Sequence, residues 1–230
     1  MQDNTALLIF ANTPQQEILD KDFGKHLPKA KQLGIAQALL RHTRQVASST
    51  GLPIVEILSN QQQGYDFAER YTNAIAQVFA QGYSRVISIG TDSPDLQVKD
   101  ILEAEQKLQV SGAVLGLAND GGAYLIGFDK SHFEVDHFES LPWKTQETAQ
   151  ALIAYFKRQN TPPAFLTTLK TDVDNFTQLI QAFSELGPQT ALYQLIAVLL
   201  TPIVVLHTWV FAQFYQSLFA HLTGLRAPPQ

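Results

Sequence analysis

Residues 86–96 read Val-Ile-Ser-Ile-Gly-Thr-Asp-Ser-Pro-Asp-Leu, and this stretch decides the fold. It begins as an uncharged apolar run and ends in a glycine, two carboxylates and a proline. Such a run, bounded by turn residues, is typical of a strand that is buried on both faces of a parallel sheet. Ligands of open α/β sheets bind beyond the carboxyl ends of the strands, so we expect Asp92 and Asp95 at the site of chemistry. Their spacing allows two oxygen donors to reach one divalent cation.

The sequence on either side predicts alternating strands and helices. Before the central strand, apolar runs predict strands at about 6–11 and 54–58, and helical spacing predicts helices at about 32–49 and 67–79. The order βαβαβ implies right-handed crossovers and a mostly parallel sheet. After the central strand, the pattern predicts a helix at 98–108, a strand at 113–118, a helix capped by Thr145, and an edge strand at 165–169.

Composition excludes several classes of protein. The chain has 230 residues and a formal charge of -5, which argues against a nucleic acid as the main partner. It has no cysteine, so disulfides, thiolate metal sites and a cysteine nucleophile are excluded. The N-terminal residues show neither a basic segment nor a cleavable apolar one, which predicts a cytoplasmic protein.

A polar loop is expected from about Asn12 to Pro28. In a nucleotide-binding α/β fold this loop meets the base and the phosphates, so Ala11 and Asn12 are candidate nucleotide contacts, as are Gly90 and Thr91 after the central strand. Neither G-x-G-x-x-G nor G-x-x-x-x-G-K-[ST] occurs, which disfavours a dinucleotide fingerprint and a P-loop. The loop carries Lys21 and Lys25, which are either solvated or neutralise phosphate charge.

Residues 119–122 read Asn-Asp-Gly-Gly and separate two apolar runs. The two glycines have a plain structural explanation, because they supply the positive φ of a tight hairpin. They would also let a ligand approach the backbone, so Gly121 and Gly122 are candidate acceptor contacts. Asp120 follows a strand at its carboxyl end, where it could act as a general base or bind an acceptor hydroxyl.

Several ordered motifs together resemble a family of small bacterial GT-A-fold proteins. They are Ile-Gly-Thr-Asp-Ser-Pro-Asp-Leu at 89–96, Asn-Asp-Gly-Gly-Ala-Tyr-Leu-Ile-Gly at 119–127 and Leu-Pro-Trp-Lys-Thr at 141–145, with further matches at 63–70 and 171–174. Members of this family are commonly described as uncharacterised glycosyltransferases or nucleotide-diphospho-sugar transferases. The resemblance covers roughly residues 5 to 185. The chain is also similar, more distantly, to the molybdenum-cofactor and phospholactate nucleotidyltransferases.

The resemblance implies a three-layer, Rossmann-like α/β domain of GT-A type over residues 1–186. It implies a divalent cation, Mg²⁺ or Mn²⁺, with Asp174 as a ligand besides Asp92 and Asp95. It favours glycosyl transfer from a nucleotide-diphospho-sugar, while nucleotidyl transfer from a nucleoside triphosphate and a non-catalytic binding module stay open. Trp143 either walls the acceptor pocket or belongs to the core. The first loop departs from the family pattern, because the usual Pro-Gly and Lys-Thr-Arg-Leu residues are absent.

The C-terminal segment, residues 187–230, has a different composition. No charged residue lies between Glu185 and Arg226, and residues 191–212 are apolar over a length that could span a membrane, although Pro202 interrupts them. Further on, apolar residues from Phe211 to Leu222 form one helical stripe. We expect a helical appendage that packs on the body or on a second copy of the chain. The alternative is a peripheral or anchoring contact with the inner membrane.

Overall fold

The computed structural model describes residues 4–200, which form a sheet of six strands with helices on both faces. The strands are β1 (Thr5–Ala11), β2 (Ile54–Leu58), β3 (Arg85–Ile89), β4 (Ala113–Leu117), β5 (Ala123–Asp129) and β6 (Ala164–Phe165). The helices are α1 (Pro14–Asp20), α2 (Lys29–Ser48), α3 (Phe67–Ala80), α4 (Val98–Ser111), α5 (Val135–Glu139), α6 (Thr148–Arg158) and α7 (Phe176–Glu185).

The strands lie in the order β2-β1-β3-β5-β4-β6, and β5 alone among them runs antiparallel to its neighbours. The pairs β1–β2, β1–β3 and β4–β6 are parallel. This confirms the prediction of a mostly parallel sheet with β3 near its centre. The β4–β5 hairpin turns through the Asp-Gly-Gly residues, as the sequence predicts.

Alternate side chains of the strands enter two separate cores, which is why the strands read as continuous apolar runs. On one face, Leu8 and Val86 pack among residues of α3, α5 and α6. On the other face, Leu7 and Ile87 pack among residues of α2 and α4. Because both faces are covered by helices, the ends of the strands are where polar side chains can gather. The sheet therefore directs the candidate residues to its carboxyl edge.

Three local predictions were wrong. The first loop contains α1, which begins at Pro14 and is capped by Thr13. This helix has only seven residues, which is too short for a repeating apolar pattern to be visible in the sequence. Helix α6 begins at Thr148, with Glu147 at its N-cap and no side-chain capping bond. The hydroxyl of Thr145 accepts from Glu147 N and donates to Pro142 O, so it stabilises the turn before the helix. Strand β6 is limited to two residues, and Lys170 adds one isolated bridge to Ala118.

A third core joins the first loop to the end of the described chain. Residues 191–200 are helical, and Leu192, Ile196 and Leu200 are buried with residues of α2 and α7. Within residues 4–200, no helix is both long enough and apolar enough to cross a membrane. The predicted stripe from Phe211 to Leu222 and most of the apolar stretch 191–212 lie outside the described residues.

Candidate active site

Two adjoining cavities lie at the carboxyl edge of the sheet. The first cavity, about 390 Å³, lies against the β4–β5 hairpin and the loop before α6. The second cavity, about 530 Å³, lies against the first loop and α1. Both are lined by a shared set of residues, which are Phe10, Phe67, Gly90, Asp92, Lys144 and Asp174. Asp92 is therefore the carboxylate at the end of β3 that faces both cavities.

Four carboxylates line the first cavity, and they come from three separate parts of the chain: Asp92, Asp120, Asp172 and Asp174. Hydrogen bonds between distant backbone segments bring these parts together. Val173 N donates to Asp92 O at 2.8 Å, and Asn119 N donates to Lys170 O at 2.9 Å. The segment that follows β6 is thus held between the hairpin and the Asp92 loop, which places its two aspartates beside the carboxylates of both.

The first cavity also has an aromatic wall, formed by Phe10, Phe67, Tyr71 and Trp143. The ring centroids of Tyr71 and Trp143 are 5.1 Å apart, and those of Phe10 and Tyr71 are also 5.1 Å apart. The Trp143 indole donates to Phe138 O at 2.9 Å, so its orientation is fixed. Trp143 thus lines the cavity and packs against the core at once. Such a wall suits a flat ring or the apolar face of a sugar.

Lys21 lies at the centre of a compact group of carboxylates. Its Nζ atom is 2.6 Å from Asp92 Oδ1, 3.1 Å from Asp174 Oδ1 and 3.4 Å from Glu17 Oε1, and it donates to Val173 O at 2.8 Å. Burial opposes the charged form of Lys21, but Asp92, Glu17 and Asp174 outweigh burial and raise its pKa above the ordinary value. Lys21 is therefore a fixed positive charge between the two aspartates that the sequence suggests as cation ligands.

Asp172 was not among the residues predicted for the site. Burial raises the pKa of its carboxyl to about 6, the carboxylate of Asp92 adds to this shift, and a hydrogen bond from Ser93 opposes it. The sequence does contain a signal, because Asp172 and Asp174 are two residues apart in one loop. The signal is easily overlooked, because an aspartate shortly before a helix usually acts as the N-cap of that helix.

Asp120 is exposed at the tip of the hairpin, and its Oδ1 accepts a hydrogen bond from Gly122 N at 2.9 Å. Gly122 lines the first cavity with it, whereas Gly121 packs against the loop before α6. Gly121 has a φ of +91°, and a Cβ added there would lie 2.3 Å from Gln146 O. Gly121 therefore has the structural role, whereas Gly122 lines the cavity, and its contact with an acceptor stays a prediction.

Asp95 lies apart from the two cavities. Its Oδ2 is 3.2 Å from the Nζ atom of Lys170, which is also 3.0 Å from Asp100 Oδ2. The side chain of Lys170 is only 2 % exposed, and its two ion pairs join the segment that follows β6 to the Asp92 loop and to the start of α4. We therefore leave Asp95 out of the proposed cation site.

The other candidate nucleotide contacts differ in whether they line a cavity. Ala11, Asn12 and Thr91 line the second cavity beside Lys21. The Asn12 amide donates to Glu17 at 2.9 Å and to Asp20 at 3.1 Å, so it already has partners in α1. Lys25 lines neither cavity; its side chain is 88 % exposed and lies 4.0 Å from Asp22.

Lys144 is a cation that the sequence reasoning missed. It is exposed, lines both cavities and has its Nζ atom 5.8 Å from the centroid of the Phe67 ring. Its φ of +60° places a side chain in the left-handed region, which costs free energy and is found more often at functional positions. In the sequence, a role for Lys144 is indicated only by the motif at 141–145 that contains it.

The donor chemistry at Lys21 suits a hard divalent cation. Asp92, Asp174 and the carbonyl of Val173 direct oxygen atoms towards one point, and Mg²⁺ and Mn²⁺ prefer oxygen ligands. Mg²⁺ is commonly held by one or two carboxylates, with water and substrate phosphate as the other ligands. Among residues 4–200, no three His, Cys, Asp or Glu side chains form a preassembled metal cluster. The residues therefore fit the cation if the ammonium of Lys21 moves away.

Solved structures share this fold. A protein from Desulfovibrio desulfuricans G20, provisionally named a nucleotide-diphospho-sugar transferase, is 23 % identical with a TM-score of 0.73 over 84 % of this chain and 93 % of its own. Rv0371c from Mycobacterium tuberculosis H37Rv in complex with manganese is 14 % identical, with a TM-score of 0.48 over 80 % of this chain and 100 % of its own. At such low identity the first likeness confirms the GT-A-type fold alone, and a TM-score below 0.5 carries no argument.

The search of curated proteins finds no match to this chain. The sequence profile of one family does match, over residues 20–145, which is more than half of the chain. That segment includes Lys21, the whole of β3, the Asp92 loop, the β4–β5 hairpin and Lys144. The chain therefore belongs to the family described as "Uncharacterized protein conserved in bacteria (DUF2064)".

Proposed function

We propose that this protein is a transferase that uses a nucleotide-activated donor, and that it transfers a glycosyl group from a nucleotide-diphospho-sugar. The observation that carries the proposal is the meeting of Asp92, Asp120, Asp172 and Asp174 in one cavity that also has an aromatic wall. The cavity opens at the carboxyl edge of the sheet, where open α/β folds bind their ligands. The preference for glycosyl over nucleotidyl transfer rests on resemblance to the GT-A-fold family.

The two cavities suggest a division of labour. The second cavity adjoins the first loop and would take the nucleotide and phosphates of the donor. The first cavity has the aromatic wall and Asp120, and would take the acceptor. The bond to be broken would then lie between them, beside Asp92, Asp174 and Lys144, which face both cavities.

Charge balance makes an added cation part of this proposal. The second cavity is lined by four carboxylates, Glu17, Asp20, Asp92 and Asp174, and by three cations, Lys21, Arg70 and Lys144. This lining is acidic on balance and does not by itself neutralise a diphosphate. Asp92 and Asp174 would hold Mg²⁺ or Mn²⁺, which supplies neutralisation of the charge that develops on the leaving diphosphate. Lys144 lines the same cavity, and no carboxylate lies within ion-pair distance of it among residues 4–200, so it would bind the same anion.

The reaction can be written for these residues. The bond between the anomeric carbon and the diphosphate oxygen breaks, and a bond forms between that carbon and the acceptor oxygen. Asp120 orients the acceptor hydroxyl and accepts its proton, and the nucleoside diphosphate leaves with the electron pair of the broken bond. Binding would position the two substrates, which is a large part of the work in such transfers.

A thermal-shift panel tests the proposal. Nucleotide sugars and nucleoside triphosphates are each added with and without Mn²⁺, because a ligand that binds the folded state raises the melting temperature. We expect a nucleotide sugar with Mn²⁺ to give the largest rise, and incubation with acceptors to release a nucleoside diphosphate. Release of pyrophosphate from a triphosphate would show nucleotidyl transfer instead, and binding without turnover would show a binding module.

Asp92→Asn gives the panel its matched variant. We expect this change to abolish the Mn²⁺-dependent part of the shift and to lower turnover by about 100-fold or more, since it removes a charged cation ligand. Asp136→Asn is the control, because Asp136 is exposed on α5 and lines neither cavity. An Asp92→Asn protein that responds to donor and Mn²⁺ like Asp136→Asn would refute the proposed site.

A further inference from the structure

Lys21 occupies the position at which the proposed function requires a divalent cation. Its ammonium contacts Asp92 and Asp174 and donates a hydrogen bond to Val173 O. These are the same three oxygen donors that suit Mg²⁺ or Mn²⁺. A protein cation and a metal ion cannot occupy one position together.

The position of Lys21 is built into the fold and does not depend on a chance rotamer. The backbone N–H of Lys21 donates to Glu17 O at the end of α1, and the side chain is 12 % exposed. Glu17 is itself buried, and the Asn12 amide donates to one of its oxygens at 2.9 Å. The end of α1 thus delivers the ammonium to the carboxylates from a fixed base. Lys25, four residues later in the same loop, lies in solvent.

We propose that Lys21 is the resident counter-ion of the Asp92–Asp174 pair, and that a divalent cation binds there only by displacing its ammonium. The displaced side chain would enter the second cavity, which Lys21 already lines and where the proposed function places the phosphates of the donor. In the absence of a donor, the ammonium offsets part of the negative charge of the two carboxylates and keeps the affinity for a metal ion low. The inference rests on the cation site of the proposed function, and it adds that the ammonium of Lys21 competes with the divalent cation for this site.

Removing the charge of Lys21 should therefore create a stronger metal site. In Lys21→Met, the carboxylates of Asp92, Asp174 and Glu17 lose the positive charge that they share in the wild type. We expect the affinity for Mn²⁺ alone to rise more than about tenfold over the wild type, because the competing unit charge acted from within the site. Binding is measured by the loss of the free Mn²⁺ signal in electron paramagnetic resonance, with no nucleotide present.

Two further variants separate this effect from general changes in charge. Lys25→Met removes the same charge from the same loop without touching the carboxylates, and we expect it to bind Mn²⁺ like the wild type. In the double variant Lys21→Met with Asp92→Asn, we expect the gained affinity to disappear. Lys21→Gln serves as the second variant if Lys21→Met folds poorly, which circular dichroism and the melting temperature would report.

The result does not depend on finding a donor. If Lys21→Met and Lys21→Gln both fold and neither binds Mn²⁺ more tightly than Lys25→Met, the displacement proposal is wrong, even when the protein turns over a nucleotide sugar. If the gain appears and depends on Asp92, the proposal stands, even when no nucleotide sugar binds. Failure of the inference and failure of the proposed function are thus told apart.

Discussion

At the scale of single residues, Lys144 combines an unusual backbone conformation with an unusual location. It is a lysine at a φ of +60°, in contact with both cavities, and its ammonium lies over an aromatic ring. A left-handed conformation costs a residue with a side chain roughly 1–2 kcal/mol. A surface loop without a function could relieve that cost with a glycine. We infer that the positive charge of Lys144 contributes to donor binding at this position.

This inference predicts the behaviour of Lys144→Met. The change removes the charge and keeps most of the aliphatic stem, so we expect the Kd of a nucleotide-activated donor to rise about three- to tenfold, since an exposed charged contact contributes about 1 kcal/mol. Titration calorimetry with donor and Mn²⁺ measures it. Lys157→Met, on the exposed side of α6, is the control. Equal affinities of the two variants would remove Lys144 from the donor site.

Residues of the site differed in how far the sequence could place them. Asp92 is readable because it follows a buried strand directly, and local pattern alone sets where that strand ends. The role of Asp172 cannot be read from the sequence, because its partners lie far away along the chain. Ser93, which donates a hydrogen bond to its carboxylate, is 79 residues away. Lys21 looked like one of several surface lysines, and only the contact with Asp92 and Asp174 distinguishes it from Lys25.

At the scale of elements, the β4–β5 hairpin is fitted to the loop that precedes α6. Gly121 O accepts a hydrogen bond from Ala149 N at 3.1 Å, and the α-carbon of Gly121 lies against Gln146. This contact sets the distance between the hairpin, which carries Asp120, and the loop, which carries Trp143 and Lys144. The close contact at Gly121 therefore sets the distance between two walls of the first cavity.

Gly121→Ala tests this contact. The new methyl group would meet Gln146 O, so we expect a loss of more than about 2 kcal/mol in the free energy of unfolding, from the clash together with the strained φ. Gly51→Ala is the matched control, because Gly51 also has a positive φ, of +76°, but its added Cβ would meet nothing within 4 Å. Urea denaturation measures both variants. A similar loss in the two would mean that φ alone matters and that the hairpin does not rest on the loop.

At the scale of the whole molecule, the division at residue 186 remains a prediction. The described part of the C-terminal segment packs on the body: a Cβ added at Gly34 of α2 would lie 2.9 Å from a methyl carbon of Leu199, and the rings of Phe183 and Tyr193 stack at 4.3 Å. The first residues of the segment thus share a core with α2 and α7. This favours the packing alternative for residues 191–200.

Two substitutions on that helix test its docking. Ile196 is 1 % exposed and Val198 is 71 % exposed, two positions apart. We expect Ile196→Asp to lower the free energy of unfolding by about 3 kcal/mol or more, because it buries a carboxylate without a partner. We expect Val198→Asp to change it by less than about 0.5 kcal/mol. If urea denaturation finds no difference between the two, residues 191–200 do not pack on the body in solution.

The sequence by itself determined the alternation of strands and helices, the position of β3 and the point at which its first carboxylate emerges. Those features depend on local hydrophobic pattern and on turn residues, which short stretches of chain carry in full. The tertiary structure alone decided which carboxylates meet Asp92, that Asp95 pairs with Lys170, and that Lys21 stands between Asp92 and Asp174. The physical reason is that these neighbours are set by hydrogen bonds and packing between segments far apart in the chain, such as the bond from Val173 N to Asp92 O.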